Sequence, residues 1–573
     1  MFASLFVFEL WSGWLLLGVA LSVTSVYILS DLIALLWRQY FSPLRNLRGP
    51  PCPSLLFGNL PEMYHQENTG LLYDWEHTYG STYAYKGFFG GSRLMTTDLT
   101  AIAHILAHSD SYQKPDFVRD NLAVMGAGEE GVLTTEGEVH RRQRRILTPA
   151  FTAMHTKTLS PVFWEKASEL RDSWMRLSND QSKRTSPTNI LTWLSKATLD
   201  VIGVAGFGYQ FNALAGENDE LADAYHLIFT TAKKLQLRTI LETWVPLLRI
   251  FRPHSQAMEQ ARRHLTRIGL QLIDERRTTM VAEVGTELNE KTRHPIFPSA
   301  PQHKDLLSVL VQSNMASFAS QRMTTSEVLC QISTFLIAGY ETTSSALTWC
   351  LYALAMAPEH QSLLRDALRA ISPDSPTLDD DVAKLEYLDW VVREALRLHA
   401  PVTWTMRVAM EDDEIPVQQP FYDKNGDLKT VIRVNKHDII TIPIQAINKS
   451  MSIWGDDAHA FRPERWRNPP ESSKAIHGLY SNTLTFLGGS RGCIGYRFAL
   501  AEIKVFLFTL VRDLEFSIDP SVIIEKTFNI VARPVVKSTS TSGNNMPLFI
   551  RPASFSSGVS VHERSSQTTP GQA

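Results

Sequence analysis

The sequence predicts a mainly α-helical protein with a minor β-sheet region, preceded by a single-pass N-terminal transmembrane helix. Three observations predict this class. Residues 10–30 carry no charged side chain, and residues 324–357 have the N-terminal signal and the composition of one long helix. Only short stretches rich in Thr, Val, Ile and aromatic residues have the character of strands.

The uncharged run at residues 10–30 is long enough to cross a bilayer, because about 20 apolar residues at ~1.5 Å each span the hydrocarbon core. A cleaved signal would have basic residues before a shorter apolar region, whereas here Arg38, Arg45 and Arg48 follow the run. Positive charges favour the cytosolic side. We therefore expect residues 1–37 to anchor the protein in the endoplasmic reticulum membrane with its body in the cytosol; a buried core helix is the alternative.

Residues 38–60 are predicted to be a basic, proline-rich hinge. Three closely spaced prolines fix the backbone and remove helix donors, so the connection should be stiff. The globular domain is expected to cover residues 61–552. Residues 553–573 are rich in Ser, Thr and Gly, and this composition predicts a disordered tail.

Most of the domain is predicted to be helical. Amphipathic periodicity predicts helices near residues 155–180, 188–206, 218–234 and 385–399. The clearest helix begins after Thr324, which can form a capping box with Glu327, and ends before Pro358. It would be roughly 45–50 Å long, and its largely apolar surface predicts a path through the middle of the protein. Strands are predicted between residues 83 and 99 and around residues 403–409 and 431–443.

The overall composition gives no indication of a nucleic-acid partner, because 56 basic residues oppose 59 acidic ones and the net charge is −3. The four cysteines are widely scattered and form no C-x-x-C pair. This argues against a disulfide framework and a zinc site, and it suits a reducing compartment.

The segment around Cys493 is the most informative in the chain and reads FLGGSRGCIG over residues 486–495. Its four glycines would let the backbone bend tightly against a flat, bulky group. Cys493 lies just before a predicted helix that begins near Tyr496, where backbone donors and the helix dipole stabilise a thiolate. Arg491 adds a fixed positive charge suited to a carboxylate. On these residues alone, a buried structural cysteine in a Gly-rich turn is the alternative interpretation.

The same ten residues match the pattern F-x-x-G-x-R-x-C-x-G. The chain thereby resembles the cytochrome P-450 superfamily, and in particular its fungal membrane-bound members. This resemblance implies the cytochrome P-450 fold and a haem-thiolate monooxygenase that uses heme b. It makes Cys493 the axial ligand of the haem iron, and it places Phe486, Arg491 and Gly495 in the cofactor-binding segment.

A second motif, AGYETT at residues 338–343 of the long predicted helix, matches the oxygen-activation segment of that family. Glu341 and Thr342 would supply an acid and a hydroxyl that relay protons into an otherwise apolar cavity. Gly339 is expected to leave room for dioxygen. The hydroxyl of Thr342 is expected to bond a carbonyl one turn earlier in the helix. Without Cys493, the alternative of a polar helix stripe would be favoured.

Glu394 and Arg397 form an E-x-x-R pair on one face of a predicted helix. Alone, such a pair is common and contributes little when it is exposed. The resemblance implies that this pair is buried and completed by Arg465, as structural support for the core that carries the haem.

The resemblance also assigns Arg407, Arg144 and His140 to the haem propionates. Many relatives carry Trp at the position of His140, but His can still donate a hydrogen bond. A solvated helix face is the alternative for the basic run that contains His140 and Arg144. We expect Arg144 to point inward, and Arg141 and Arg142 to point outward on a face where a reductase docks.

For partners, the resemblance implies electrons from NADPH through a separate NADPH-cytochrome reductase, with cytochrome b5 as a second candidate donor, and a lipophilic small-molecule substrate. The pocket walls are expected to include Phe117, Val118, Phe211, Leu235, Phe335, Val402 and Trp404. Fungal secondary metabolism, for example terpenoid oxidation, is a hypothesis. The alternatives are a haem-thiolate isomerase or dehydratase that needs no O2, and a non-catalytic membrane haem-binding protein.

Overall fold

A computed structural model describes residues 36–179, 186–216, 256–291, 305–528, 531–537 and 543–554, with scattered positions between residues 19 and 34. In this part of the chain the α-helices are Leu60–Tyr64, Gln66–Thr69, Leu71–Tyr79, Leu99–Ala107, Asp116–Leu122, Gly137–Leu147, Ala153–Thr158, Ser160–Asn179, Ile190–Phe207, Gln256–Lys291, Leu306–Met315, Thr325–Met356, Pro358–Arg369, Leu378–Lys384, Glu386–Leu398, Ile444–Lys449, Met451–Trp454 and Tyr496–Asp513. The predicted mainly helical class is confirmed.

The strands within the described residues are β1 (Thr82–Lys86), β2 (Ser92–Thr96), β3 (Tyr112–Gln113), β4 (Thr188–Asn189), β5 (Thr405–Ala409), β6 (Asp413–Tyr422), β7 (Leu428–Val434), β8 (Ile439–Ile442), β9 (Leu514–Ser517), β10 (Ile524–Phe528), β11 (Ala532–Val536) and β12 (Pro547–Pro552). The largest sheet has the order β1-β2-β8-β5-β3, and smaller ones pair β10 with β11, β6 with β7, and β12 with both β4 and β9. Only β2 and β8 run parallel in the largest sheet. The minor sheet region is therefore confirmed.

Helix Thr325–Met356, which we call the central helix, runs through the main hydrophobic core. Thr324 and Glu327 form the predicted capping box: the Thr324 hydroxyl accepts from the Glu327 N–H at 3.0 Å, and the Glu327 carboxylate accepts from the Thr324 N–H at 2.8 Å. The helix ends just before Pro358, as predicted. Its position allows it to hold side chains on several faces against different neighbours.

The other predicted elements have mixed outcomes. The helix expected near residues 155–180 is two helices that meet at Leu159, close to Pro161. Those at Ile190–Phe207 and Glu386–Leu398, and the strands β1, β2, β5, β7 and β8, match their predictions. The helix expected at 218–234, most of the anchor and nearly all of the tail lie outside the described residues.

Within the described residues, one helix, Ile190–Phe207, has the length and hydropathy of a membrane span, and most of it is buried. It packs along the central helix. Gly339 of the central helix faces it, because a Cβ atom there would lie 2.8 Å from Cγ1 of Ile202. We therefore assign Ile190–Phe207 as a core helix.

The predicted hinge is packed against the globular body from about residue 42 onward. Leu44 and Leu47 are buried, and the Arg48 carbonyl accepts from the Ala84 N–H of β1 at 2.9 Å. Gly49 lies so close to Ala84 that any side chain would clash with the Ala84 backbone. The direction in which the chain leaves the body is thus set by contacts with β1, in addition to the prolines.

Glu394 is the centre of a buried ion network. On helix Glu386–Leu398, Arg397 donates to both Glu394 carboxylate oxygens, at 2.9 and 2.8 Å. Arg465 donates to one of them at 3.3 Å. Asp457, which was not predicted, accepts from Arg465 at 2.6 Å, and this bond lowers the pKa of Asp457. The indole of Trp466 also donates to Glu394 at 3.1 Å.

This network balances two arginines with two carboxylates, so no buried charge is left alone. The sequence prediction that Arg465 completes the E-x-x-R pair agrees with this geometry. Because the main-chain oxygens of Asn448 and Ala458 accept from Arg397 at 2.8 and 2.6 Å, the network also ties helix Glu386–Leu398 to a distant loop.

Replacing Glu394 by Gln should lower the free energy of unfolding by about 3–5 kcal/mol, because two buried guanidinium groups lose their shared counter-charge. Equilibrium denaturation measures this loss. Asp457→Asn is the matched control, since Asp457 contacts the same arginine but its side chain is 35% exposed. A loss for Glu394→Gln no larger than that for the control would contradict the central role of Glu394.

Candidate active site

Cys493 sits in a tight loop whose backbone is closed by its own hydrogen bonds. The Cys493 N–H donates to the Phe486 carbonyl at 2.9 Å, and the Gly492 N–H donates to the Gly489 carbonyl at 3.1 Å. The Phe486 ring lies between Tyr480 and Tyr496, with centroids 6.0 and 6.2 Å away. Helix Tyr496–Asp513 begins three residues after the cysteine, as predicted.

Two glycines of this loop are required by the protein's own backbone. A Cβ atom at Gly488 would clash with the His477 carbonyl, and one at Gly489 would clash with the Leu106 carbonyl. Gly489 also has a φ of +67°, which disfavours other residues. A Cβ at Gly495, by contrast, would make only an ordinary contact of 3.6 Å with Phe151. The glycines thus serve the packing of the loop as well as any approach to a flat group.

The Cys493 thiol is accessible and yet desolvated. Its side chain has exposed surface, but burial among protein atoms raises the pKa of the thiol. The Gly495 N–H bonds the sulfur, and Arg144 is near; both lower the pKa, but burial outweighs them. The thiolate predicted from the helix dipole therefore needs a further positive partner, such as a metal ion.

Arg407 lies in β5 and is almost fully buried. Its Nη1 donates to the Met406 carbonyl at 2.7 Å and to the Thr405 hydroxyl at 2.8 Å. Its Nη2 is buried without a hydrogen-bond partner among the described residues, and burial lowers the pKa of Arg407 to about 10. A buried guanidinium nitrogen without an acceptor costs free energy unless an anionic ligand supplies one.

Helix Gly137–Leu147, which we call the basic helix, contributes His140 and Arg144. Arg144 donates to the Gly492 carbonyl at 2.6 Å, directly beside the cysteine. His140 is buried, and burial, with Lys114 and Arg144 adding to it, lowers the pKa of His140 to about 4. His140 is thus neutral at physiological pH and has one N–H to donate. The inward orientation expected for Arg144 agrees with its contact to the cysteine loop.

One expectation for the basic helix is wrong. Arg142 does not point outward to a docking partner: it forms an ion pair with the buried Glu327 of the capping box and donates to the Arg322 carbonyl at 2.5 Å. Arg141 is exposed, as expected, and pairs with Glu138 at 2.9 Å. The periodicity of the run could not reveal that Glu327, far away in sequence, would draw Arg142 inward.

Arg491 and Lys114 lie near Arg407 and Arg144, and we call these four basic side chains the cationic cluster. Arg491 pairs with Glu136 and donates to the Thr135 carbonyl at 2.9 Å, and burial lowers its pKa to about 10. Lys114 was missed in the sequence, where nothing marks it as special. Its pKa lies well below the usual value, first because of burial and then because of repulsion by four arginines that include Arg491 and Arg407.

This set of residues fits heme b. The exposed Cys493 thiol suits a metal ligand, and the orphaned Arg407 nitrogen suits a carboxylate. The mutual repulsion around Lys114 would be relieved by anionic groups such as two propionates. The residues that could hold the cofactor are Cys493, Arg407, Arg144, Arg491, His140 and Lys114.

On the central helix, Thr342 donates to the Ala338 carbonyl at 2.6 Å, which is the one-turn bond predicted for it. The missing side chain of Gly339 makes room for Ile202 of helix Ile190–Phe207, and the room expected there for dioxygen stays a prediction. Gly339 and Thr342 are three positions apart, so their directions differ by about 60° around the helix axis.

Glu341 faces a third direction. Its buried carboxylate forms an ion pair with Arg533 of β11, which the sequence did not predict. The next residue but one, Thr343, bonds the buried Glu502 of helix Tyr496–Asp513, and burial holds the pKa of Glu502 well above its usual value. Glu341 and Thr342 are therefore adjacent in sequence, but the structure gives them different partners.

Two of the residues expected to line the substrate pocket, Phe335 and Phe211, are packed against other parts of the protein. Phe335 stacks on Phe151 in the main core, with ring centroids 5.1 Å apart. Phe211 is buried against Gly203 and Tyr209. These two are packing residues in this conformation. Leu235 lies outside the described residues.

Comparisons with known proteins agree on one family. The family model described as Cytochrome P450 matches residues 47–539. The chain is 42% identical to "Cytochrome P450 monooxygenase 205" of Postia placenta over 94% of this chain and 97% of that protein. It is 40% identical to "Cytochrome P450 monooxygenase 128" of the same organism, over 93% and 97%. It is 32% identical to "Cytochrome P450 monooxygenase claU" of Ampulloclitocybe clavipes, over 88% and 92%.

Gly339→Ala should destabilise the protein by about 1–3 kcal/mol, because the new methyl group overlaps Ile202. In an Ile202→Ala background the same change should be neutral or stabilising, since the space is then open and Ala is the better helix former by about 1 kcal/mol. Denaturant unfolding of the four proteins gives the coupling. Equal losses in both backgrounds would contradict the assigned contact.

Proposed function

The chain belongs to the cytochrome P450 family and is a monooxygenase of that family, and from this premise we propose a more specific function. It inserts one oxygen atom of O2 into a lipophilic small molecule, uses NADPH electrons from a separate reductase, and is anchored in a membrane. The observation that carries the proposal is the Cys493 thiol, which keeps exposed surface directly beside Arg144 of the cationic cluster.

The proposed roles follow from the position of each residue. Cys493 would bind the haem iron through its sulfur, and the Gly495 N–H and Arg144 lower the pKa of this thiol. Arg407 would supply its free Nη2 to a propionate. Arg144, Arg491, His140 and Lys114 would hold the remaining negative charge. When bound, the haem supplies the activation of dioxygen for transfer of one oxygen atom.

Thr342 and Glu341 of the central helix are proposed to handle protons. The Thr342 hydroxyl is tied to the Ala338 carbonyl but keeps lone pairs that can accept a hydrogen bond from water. A hydroxyl that holds water in an apolar cavity can pass a proton without an ionised group in the cavity itself. Glu341, one residue earlier, is the acid that refills this relay.

The membrane part of the proposal is supported by the described helical positions between residues 19 and 41. Their large apolar side chains are exposed, as expected of a helix that meets lipid: Val19, Val23, Val26, Tyr27, Leu29, Ile33, Leu36, Trp37, Tyr40 and Phe41. Membrane attachment gives access to substrates dissolved in the bilayer. We place the protein in the endoplasmic reticulum, with the catalytic domain facing the cytosol.

The electron donor is proposed to be an NADPH-cytochrome reductase, with cytochrome b5 as a second candidate. The docking face would include Arg141 and Arg145, which are exposed, and not Arg142. The named relatives come from fungi, and a role in fungal secondary metabolism with terpenoid-like substrates is the most specific form of the proposal. A haem-thiolate isomerase would keep Cys493 without needing NADPH, so NADPH dependence of turnover separates the two functions.

Cys493→Ser should abolish NADPH-dependent product formation from a panel of terpenoid, fatty-acid and sterol substrates in microsomes. It should also abolish the red-shifted Soret band that the reduced carbon monoxide complex shows when the ligand is a thiolate. Cys350→Ser is the control, since Cys350 is buried in the central helix away from the cationic cluster. Loss of both signals in Cys350→Ser, or their survival in Cys493→Ser, would contradict the assignment.

Thr342→Ala should shift consumed NADPH from product to hydrogen peroxide, because the relay loses its hydroxyl. We expect the amount of product formed per NADPH consumed to fall by up to about tenfold, while the absorption spectrum of the haem stays unchanged. Thr348→Ala is matched, because the Thr348 hydroxyl makes the same one-turn bond at 2.7 Å on the same helix. Equal peroxide release from both variants would show that only the helix geometry matters.

Removal of residues 1–37 should release the protein from alkaline-washed microsomes, because the exposed apolar helix positions would be reduced to those nearest the hinge. Sedimentation followed by haem absorbance measures the bound fraction. A truncated protein that stays fully membrane-bound would show that another surface supplies the main attachment.

A further inference from the structure

We propose that Arg533 is a positioning residue for Glu341, which makes the proton relay depend on the hairpin formed by β10 and β11. The inference rests on the proposed function and deepens it. Arg533 is far from Glu341 in sequence, and no motif connects them. The structure brings them together as an ion pair between the central helix and β11.

The pair is mostly removed from water. The Glu341 side chain is 5% exposed and that of Arg533 is 16% exposed. A buried carboxylate without a counter-charge is costly and tends to take up a proton instead. Arg533 therefore supplies the counter-charge of the Glu341 carboxylate and fixes its direction, toward β11.

The surrounding contacts hold the hairpin against the same stripe of the central helix. Ser345 and Trp349, one and two turns after Glu341, both donate to the Ala532 carbonyl, at 2.8 and 3.3 Å. The Ala532 N–H in turn donates to the Pro401 carbonyl at 2.8 Å. These bonds leave the neighbour Arg533 beside Glu341, so the placement of its guanidinium is set by the fold.

The hairpin is also tied from its other strand. The Asn68 side chain donates to the Lys526 carbonyl at 2.9 Å and accepts from the Lys526 N–H at 2.8 Å. Helix Gln66–Thr69 lies in the N-terminal part of the body, soon after the hinge. A displacement of β10 and β11 would therefore move Arg533 and weaken its ion pair with Glu341.

The proposal assigns separate tasks to adjacent residues. Thr342 handles the proton at the cavity, while Arg533 determines where the Glu341 carboxylate points. A purely structural role for Arg533 predicts lower stability alone, whereas a positioning role also predicts a changed protonation state of Glu341. These two roles can be separated by experiment.

The test uses the full-length, haem-loaded protein with Arg533→Met and the charge-preserving Arg533→Lys. Infrared difference spectra should show a new band of a protonated buried carboxyl in Arg533→Met, absent from Arg533→Lys and from Arg533→Met combined with Glu341→Gln. This readout does not need turnover. A missing band in Arg533→Met would overturn the proposal even if the protein proved to have no monooxygenase activity.

The second readout is the coupling of NADPH consumption to product formation. Arg533→Met should raise peroxide released per NADPH about threefold or more, as Glu341→Gln does, with no further rise in the double variant. Lys537→Gln is the control, because Lys537 directly follows β11 and carries a surface ion pair with Glu525 at 3.0 Å; its peroxide yield should equal that of the unaltered protein. Additive effects, or an equal rise in the control, would contradict the proposal. Absence of any turnover would count against the proposed function, and the infrared result would still decide the role of Arg533.

Discussion

The desolvated thiol of Cys493, beside a cluster of basic side chains, is the feature on which the rest of the site depends. A thiol in that setting prefers to keep its proton, and the bond from Gly495 and the charge of Arg144 do not reverse this preference. A metal ion does, because it supplies a full positive charge at bonding distance. The same region concentrates guanidinium and ammonium groups that repel one another. A cofactor that carries both a metal ion and carboxylates would stabilise the thiolate and would also reduce the repulsion among the basic groups.

The contrast with the network around Glu394 shows how these imbalances differ from structural charge. There, two arginines meet two carboxylates and several main-chain oxygens, so each buried charge is compensated within the protein. Around Cys493, Glu136 pairs with Arg491, while Arg407 keeps a nitrogen without an acceptor among the described residues. The first network supports the fold, and the second has the unsatisfied groups expected of a binding site.

The central helix joins the two halves of the chemistry. Its successive positions point in different directions, so Gly339 packs against Ile202, Thr342 bonds within the helix, and Glu341 meets Arg533. A single helix can therefore combine core packing, the hydroxyl proposed for proton transfer and a buried acid. This also explains why adjacent motif residues, which the sequence groups together, do not share one environment.

Local sequence was sufficient to predict the features that depend on neighbouring residues. The capping box at Thr324, the ends of the central helix, the Thr342 bond and the helix after Cys493 all follow from residues within one or two turns. The E-x-x-R pair and the family followed from motif spacing, and Arg465 as the third partner of the pair followed from the family resemblance.

Only the tertiary structure decided which distant groups meet. Nothing in the sequence around Arg142 indicates Glu327, nothing around Glu341 indicates Arg533, and Lys114 stands in no motif. The direction of Gly339 likewise depended on how a second helix packs. The physical reason is that hydrogen-bonded caps and turns are set by short-range geometry, whereas desolvation and charge pairing depend on which surfaces the fold brings together.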